Sequence, residues 1–258
     1  MAAGRVAGLR QRSAADVSHW WHGCARRDGV AARTNVTRGE ATDMDRARVG
    51  NKCRASEKCG RLGCVVMANG EARRFGRQKL LEPLGGKAVV LHALDALFSP
   101  ALDVVVVSRW PEVRRVCAEH GAAVAEPAGP LQSDTVRAGV RALGPRVGYL
   151  FAQGDQPLLS AASVDALVGE FMAHPGCVAR LAWRGEAGSP VVFPGALAGA
   201  LCALSGDVGG RALLRRDASL ARGVRLVEAR RAAELMDVDT PKDLARVAGE
   251  LGRIAECM

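Results

Sequence analysis

One stretch, residues 62–79, constrains the fold more than any other part of the chain. An apolar run from 62 to 68 ends at Asn69 and Gly70, and a strongly basic segment follows. The apolar run predicts a buried β-strand, and glycine predicts a flexible loop at its carboxyl end. In an open parallel sheet, ligands usually bind beside such a loop. Free backbone N–H groups and basic side chains suit phosphate oxygens, so we expect a phosphate-binding loop.

The basic residues of this loop surround Gly76, and they are Arg73, Arg74, Arg77 and Lys79. The spacing excludes two common phosphate motifs. Gly76 is followed by Arg-Gln-Lys, whereas a Walker A loop needs Lys-Ser/Thr after its glycine. The G-x-G-x-x-G pattern is also excluded, because only Gly70 and Gly76 are available.

Strand and helix patterns alternate over the rest of the chain. Residues 103–108 form an unbroken β-branched run, which is typical of a strand covered on both faces. Further strands are predicted at 122–125, 147–153, 177–183, 189–193 and 224–227. Helices are predicted at 87–98, 110–120, 133–143, 160–174 and 197–204, and after Pro241. Repeated β-α-β units with right-handed crossovers predict an α/β fold, a three-layer α/β/α sandwich with a mostly parallel sheet.

The net charge of +9 is concentrated near the N-terminus. Residues 1–60 hold 12 Lys/Arg against 6 Asp/Glu, whereas residues 61–258 hold 24 against 21. The second part is nearly balanced, so nucleic acid is not an expected partner. Residues 1–60 lack strand runs and sustained helical periodicity, which predicts a disordered basic leader before one domain at 61–258. A translation start near Met44 or just before Leu62 is the alternative.

Zinc, disulfide and membrane hypotheses have less support. Zinc ligands are available before the domain, but without a paired C-x-x-C, at His19, His22, Cys24, Cys53 and Cys59. Apolar patterns favour reduced thiols at Cys64, Cys117, Cys177 and Cys202. No apolar run approaches the roughly 20 residues that cross a bilayer, and the N-terminus lacks the layout of a secretory signal. These features together favour a cytoplasmic protein.

A second candidate site element is Asp155. It follows the predicted strand 147–153 in the turn Gly154-Asp155-Gln156-Pro157. Mg²⁺ prefers one or two carboxylates together with phosphate oxygens and water, so Asp155 is well placed to hold Mg²⁺ near the first loop. The alternative is that Asp155 only shapes the turn ahead of Pro157.

A third element is the acidic segment that precedes the final helix. Thr240 is a good helix cap and Pro241 a good first helical residue, which accounts for those two positions without any function. The cap does not require the two preceding carboxylates, Asp237 and Asp239. We therefore expect one of them to complete the metal site, and the sequence does not decide which.

Together these elements resemble the MobA-like nucleotidyltransferases. Their loop reads apolar-Ala-Ala/Gly-Gly-x-x-x-Arg-Met/Phe-Gly-x-x-Lys, and the matching residues here are 67–70, 74–76 and 79–81. Residues 237–243 resemble the family's Asp-Ile-Asp-Thr-Pro-Glu-Asp segment. The Gly-Asp-Gln-Pro turn is the form found in the molybdenum-cofactor cytidylyltransferase branch. The resemblance spans roughly residues 62–247 and implies a Rossmann-like nucleotidyltransferase fold.

The resemblance also implies roles for individual residues. The catalytic groups would be Lys79, Arg74 and Asp155, with Asp155 and Asp237 or Asp239 as metal ligands. The nucleotide would be bound by Ala68, Asn69, Gly70, Arg74, Gly76, Lys79, Gln132, Ser133 and Thr135. Residues 188–193 resemble Gly-His-Pro-Val-x-Phe, with Ser189 in place of the His, and residues 206–211 resemble Gly-Asp-x-Gly-Ala-Arg. The second substrate would therefore contact Ser189, Pro190, Asp207 and Arg211.

The activity that the resemblance implies is Mg²⁺-dependent transfer of CMP from CTP to molybdopterin cofactor, with release of pyrophosphate. The loop reads Ala-Asn-Gly where CTP-using relatives have Ala-Ala-Gly and GTP-using relatives have Ala-Gly-Gly. Guanylyl transfer and a sugar-phosphate or methylerythritol-phosphate acceptor therefore stay open. Two alternatives from other classes are a non-catalytic carrier that hands the cofactor to a molybdenum hydroxylase, and a nucleic-acid binder that uses the basic leader.

Overall fold

The computed structural model describes residues 61–256 of the 258-residue chain. The predictions of a leader, an alternative start and a zinc site at residues 1–60 lie outside the described residues. Within the described range, no helix combines the length and the apolar character that crossing a bilayer requires. Cys64, Cys117 and Cys177 are free thiols.

A seven-stranded sheet forms the centre of this part of the chain, in the order β5-β4-β1-β6-β8-β7-β9. The described residues form nine strands: β1 Leu62–Met67, β2 Pro83–Leu84, β3 Lys87–Ala88, β4 Leu102–Val107, β5 Ala123–Ala125, β6 Gly148–Gln153, β7 Ala179–Trp183, β8 Glu186–Pro194 and β9 Arg225–Glu228. Strands β2 and β3 pair only with each other, outside this sheet. In this sheet only β8 runs opposite to the other strands, as its antiparallel pairing with β6 and β7 shows. The predicted mostly parallel sheet is confirmed.

Helices cover both faces of the sheet. They are α1 Val89–Leu97, α2 Pro111–Glu119, α3 Gln132–Leu143, α4 Ala161–Ala173, α5 Ala198–Cys202, α6 Arg211–Arg216, α7 Ala218–Arg222 and α8 Pro241–Glu256, with short 3₁₀ turns at Lys79–Leu81, Gly195–Leu197 and Ala232–Leu235.

The central strands are buried on both sides, and their side chains alternate between two apolar clusters. On β1, Cys64 and Val66 join the cluster that contains residues of α1, α2 and α4, whereas Val65 joins the cluster that contains residues of α3 and α5. Helix α3 lies very close to β1, because a Cβ at Gly139 would come within 2.4 Å of Val65. The three-layer α/β/α sandwich predicted from the sequence is confirmed.

The helix starts predicted at 87, 110, 133, 160 and 197 differ from those in the structure by one or two residues. The helix expected from residue 87 begins at Val89, because Gly85 and Gly86, with φ of 56° and 85°, turn the chain into a hairpin of β2 and β3. The helix expected from Ser133 begins at Gln132 instead. Asp134 stabilises that start by accepting a hydrogen bond from the N–H of Leu131 over 3.3 Å. The predicted cap at Thr240 is correct, since Thr240 and Asp243 exchange hydrogen bonds.

Three parallel strands end level with one another. Met67 at the end of β1 is paired with Val107 of β4 and with Gln153 of β6. The loops that follow these strands therefore leave the sheet at the same edge. This is the position at which ligands bind in open α/β sheets.

A third apolar cluster lies beside this edge. It joins Phe75 of the basic loop, Val238 of the acidic segment, Leu84 of the hairpin and Val247 of α8. Val238 stands between Asp237 and Asp239 in the sequence, and Phe75 directly follows Arg73 and Arg74. Burying these two apolar side chains together brings the basic loop and the acidic segment to one place.

Candidate functional site

The loop after β1 presents backbone donors that no group of residues 61–256 accepts from. Ala68 N–H still donates to the carbonyl of Val107 over 3.0 Å, and Phe75 and Gly76 N–H both donate to the carbonyl of Ala72. Between them, the N–H groups of residues 70–74 have no acceptor among the described residues. Gly76 closes the turn with φ of 81°, a conformation that glycine adopts readily. A run of unpaired N–H groups of this kind suits an anion.

Asn69 holds this loop to two neighbouring loops. Its Nδ2 group donates to the carbonyls of Gly129 and Pro130, each over 3.3 Å, and its Oδ1 accepts from the N–H of Arg109 over 2.9 Å. The residue is only 8% exposed. Its side-chain amide is therefore engaged in positioning residues 129 and 130, which lead into α3.

Lys79 lies at the centre of the charged groups. Its Nζ is 2.6 Å from Oδ2 of Asp155 and 2.8 Å from Oδ1 of Asp239. Arg74 contacts the other oxygen of Asp239 over 2.7 Å. Burial of the Lys79 ammonium disfavours its charge, but the two carboxylates outweigh burial and raise the pKa of Lys79 above its ordinary value. The hydrogen bond from Lys79 holds the pKa of Asp239 below its ordinary value.

A backbone hydrogen bond brings the acidic segment to Asp155. The N–H of Val238 donates to the carbonyl of Asp155 over 2.9 Å. Asp237 and Asp239, which precede and follow Val238, are therefore brought near Asp155. Burial of its carboxyl group, together with the negative charge of Asp155, raises the pKa of Asp237, and a hydrogen bond with Gln156 opposes this shift. Taken as a whole residue, Asp237 is exposed and, unlike Asp239, is not paired with a described cation.

The remaining basic residues of the loop are paired with nearby carboxylates. Arg73 contacts Glu71, and Arg77 contacts Glu82. Glu71 also contacts Arg109 over 3.1 Å. The protein's own carboxylates therefore balance the positive charges of Arg73, Arg74, Arg77 and Lys79.

Arg109 and Trp110 contact the loop after β1, and the sequence analysis did not single them out. The indole Nε1 of Trp110 donates to the carbonyl of Gly70 over 3.1 Å, and the Arg109 guanidinium stacks over the Trp110 ring at 4.7 Å. Both residues follow β4 at the edge where β1 ends. Their place directly after a buried strand was the signal that could have identified them.

A cavity of about 550 Å³ lies between the loop after β1, the start of α3 and the carboxylates that contact Lys79. We call it the first cavity. Of the residues predicted to bind nucleotide or metal, it is lined by Ala68, Asn69, Gly70, Arg74, Lys79, Gln132, Thr135, Asp155 and Asp239. Gly76, Ser133 and Asp237 do not line it. Ser133 is only 1% exposed and lies inside α3, so its side chain is buried away from this cavity.

A second cavity of about 580 Å³ adjoins the first. The residues that line both cavities are Met67, Gln132, Gln153 and Asp207. Of the residues predicted to bind the second substrate, Ser189, Asp207 and Arg211 line the second cavity, whereas Pro190 is buried and does not. Arg180 lines it too, although the sequence analysis did not single it out.

The carboxylates of the first cavity could supply only part of the ligands that a hard cation needs. Among residues 61–256, no group of three or more His, Cys, Asp or Glu side chains is arranged as a complete metal site. Asp155 and Asp239 are instead held together by one ammonium. Two carboxylates that leave room for phosphate oxygens and water are the donor set that Mg²⁺ prefers.

A family model described as the MobA-like NTP transferase domain matches residues 64–224. The chain belongs to this family. PucB, a purine catabolism protein of Bacillus subtilis (strain 168), is 31% identical over 197 residues, which are 69% of this chain and 92% of PucB.

Solved structures agree with membership of the MobA-like family. A nucleotidyl transferase from Methanothermobacter is 27% identical, with a TM-score of 0.64, over 75% of this chain and 99% of its own. Rv0371c from Mycobacterium tuberculosis H37Rv, solved as a complex with manganese, shares the fold at 23% identity and a TM-score of 0.56, over 73% of this chain and 98% of its own. The first cavity thus lies in a nucleotidyltransferase fold.

Proposed function

We propose that this protein transfers CMP from CTP to the terminal phosphate of molybdopterin cofactor, with Mg²⁺ and with release of pyrophosphate. The observation that carries this proposal is the meeting of Lys79, Asp155 and Asp239 beside a run of unpaired backbone N–H groups. Positive and negative groups that converge in this way suit a metal-bound triphosphate. The adjoining second cavity leaves room for an acceptor.

The chain's own residues supply positioning and charge in this reaction. Lys79, Arg74 and the N–H groups of residues 70–74 bind phosphate oxygens and orient the α-phosphorus toward the second cavity. Asp155 and Asp239 are the residues that would hold Mg²⁺, with Asp237 as the alternative to Asp239. When bound, the cation supplies Lewis-acid neutralisation of phosphate charge. The attacking phosphate is already an anion, so no general base is required of the protein.

The choice of CTP rests on the resemblance of the Gly-Asp-Gln-Pro turn and of residues 188–193 to the cytidylyltransferase branch. The geometry of Asn69 does not favour one base over another. Its amide group is engaged with Gly129, Pro130 and Arg109, so its departure from the family's loop has a role in holding loops together. Asn69 therefore gives no separate reason to prefer a purine.

The test is a pyrophosphate-release assay with purified molybdopterin cofactor, Mg²⁺ and each of CTP, GTP, ATP and UTP. We expect the fastest release with CTP, dependence on the acceptor, and little release from an Asp155→Asn variant. Fastest release with GTP would replace this proposal with guanylyl transfer. If no nucleotide gave pyrophosphate while the cofactor still bound, the protein would be a carrier that delivers the cofactor to a molybdenum hydroxylase.

A further inference from the structure

Arg180 is a buried cation without an acidic partner. It lies on β7 and is only 8% exposed. One terminal nitrogen donates to the carbonyls of Ala187 and Gly188, over 3.1 and 2.8 Å, while its Nε has no hydrogen-bond partner. No carboxylate of residues 61–256 lies within ion-pair distance of it. Burial and the charge of Arg211 lower the pKa of Arg180, so its surroundings disfavour its positive charge.

A buried charge with no counter-ion is costly, and two carbonyl groups offset that cost only in part. The sequence signal is a lone arginine in the otherwise apolar segment 177–183. The arginine lies where burial penalises it, and it lines the second cavity. A ligand anion in that cavity would supply the missing counter-charge.

The rest of the second cavity has the same electrostatic character. Arg211 and Arg215 of α6 also line it, and within the described residues neither has an ion-pair partner. Asp207 is the one acidic residue in its lining, and Asp207 already accepts a hydrogen bond from the N–H of Gln132 over 3.2 Å. Three guanidinium groups around one carboxylate leave this cavity with a positive excess.

The position of the cavity ties it to the proposed transfer. Met67 and Gln153, at the ends of β1 and β6, form part of the wall of both cavities. A volume of about 580 Å³ is within the usual range for a small-molecule site. A molecule bound there would lie next to the end of the triphosphate site.

We propose that Arg180, with Arg211, binds a phosphate monoester group of the acceptor and so selects phosphorylated acceptors over neutral alcohols. This inference rests on the proposed function. One oxygen of that monoester forms the new bond to the α-phosphorus of the nucleotide. The bond from the α-phosphorus to the bridging oxygen breaks, and pyrophosphate leaves with the electron pair. No proton is transferred, because the attacking oxygen is an anion.

The test is a calorimetric titration of the full chain with glycerol 3-phosphate, with Mg²⁺ and an α,β-methylene analogue of CTP already bound. The analogue blocks turnover, so only binding is measured. We expect millimolar or tighter binding to the wild type, and at least ~10-fold weaker binding to Arg180→Met, since a charge-assisted bidentate contact is lost. Arg180→Lys should lose less, because it keeps the charge without the planar fork. Arg222→Met, which removes an exposed arginine outside the cavity, should bind as the wild type does.

Several results would overturn the inference, and three of them come directly from the titration. These are unchanged affinity in Arg180→Met, no binding of glycerol 3-phosphate by the wild type, and displacement of the analogue by glycerol 3-phosphate. A parallel loss of analogue and monoester binding in Arg180→Met would show that Arg180 is only structural. Inorganic phosphate is titrated alongside: if it binds as tightly as the ester, the site recognises the free ion rather than an acceptor.

Failure of the proposed function would look different from failure of this inference. If the analogue did not bind, the titration would be repeated without it and would still report on Arg180. Pyrophosphate release with CTP but no effect of Arg180 on monoester binding would remove only the inference.

Discussion

The N–H of Val238 donates to the carbonyl oxygen of Asp155 over 2.9 Å, and this one bond joins two distant segments of the chain. Asp239 contacts Lys79, whereas Asp237 shares a hydrogen bond with Gln156. Val238 itself is fully buried in the apolar cluster with Phe75. Apolar packing thus fixes where the charged groups lie.

Lys79→Met should reduce turnover by at least ~100-fold, the scale of losing one preorganised charge. It should also lower the free energy of unfolding by about 1–2 kcal/mol without metal, because Asp155 and Asp239 then face each other with less counter-charge, and partial exposure moderates the effect. Mg²⁺ alone should stabilise this variant more than the wild type, where Lys79 already neutralises both carboxylates. Thermal unfolding in EDTA and in Mg²⁺ measures both effects.

Lys242→Met is the matched control, since Lys242 is exposed and has no ion-pair partner among the described residues. Its melting temperature should respond to Mg²⁺ as that of the wild type does. Equal Mg²⁺ shifts in Lys79→Met and in the wild type would contradict the view that the ammonium and the cation share the same carboxylates.

Asp155→Asn should also lower turnover by at least ~100-fold, while the protein stays folded. The fold is retained because the backbone carbonyl of residue 155, which the variant keeps, still accepts the hydrogen bond from Val238. Steady-state kinetics with CTP measure the turnover, and circular dichroism shows whether the variant is folded. Asp165→Asn, at an exposed position on α4, is the control and should be fully active. A near-normal rate in Asp155→Asn would count against the metal site.

Asp237→Asn should stabilise the metal-free protein at pH 7. The pKa of Asp237 is raised by burial and by Asp155, so folding disfavours its charged form. Its contribution to stability is present below its unfolded-state pKa of about 4 and is lost as the pH rises through the higher folded-state value. The advantage of the variant should therefore vanish below about pH 4. Melting temperatures across this range in EDTA measure it.

Asp239→Asn should change the stability in the opposite direction from Asp237→Asn. Its hydrogen bond from Lys79 lowers the pKa of Asp239, so this carboxylate stabilises the fold above its unfolded-state pKa of about 4, and the contribution is lost as the pH falls through its folded-state pKa. The variant should be less stable than the wild type at pH 7. The same sign for both variants would show that the two carboxylates do not occupy distinct environments.

Asn69→Ala should raise the KM for the nucleotide without changing the order of preference among the four bases. The change removes two hydrogen bonds to residues 129 and 130 and one from Arg109, and it should cost about 1–3 kcal/mol of stability. Kinetics with each nucleotide, compared at a temperature well below unfolding, separate the two roles. A changed base preference would mean that Asn69 reads the base directly.

Local patterns were sufficient for much of the fold. The apolar run before Asn69, the β-branched run at 103–108 and the spacing of apolar residues in the helices each follow from a period that the chain itself displays. The helix start at Gln132 and the hairpin at Gly85 and Gly86 were not found. Capping and tight turns depend on backbone angles and on single hydrogen bonds, which residue type indicates only weakly.

The site was predictable where its residues directly follow buried strands or match a known loop. Lys79 and Asp155 were found in this way, and so was the acidic segment. Arg109 also follows a buried strand, but its role, like that of Arg180, is visible only from its contacts in the folded protein. Arg109 contacts Glu71 and Trp110, and Arg180 is unusual only because it is buried with no described carboxylate within ion-pair distance.

By itself, the sequence determined the α/β/α architecture, the glycines and basic residues of the first loop and the set of carboxylates from which a metal site could be built. Only the tertiary structure decided that Asp239 rather than Asp237 faces Lys79, that the amide of Asn69 is engaged with other loops, and that Arg180 is buried without a counter-ion. The physical reason is that periodicity and turn chemistry act between neighbours in the chain. Charge pairing and burial act between groups that meet only after the strands have come into register.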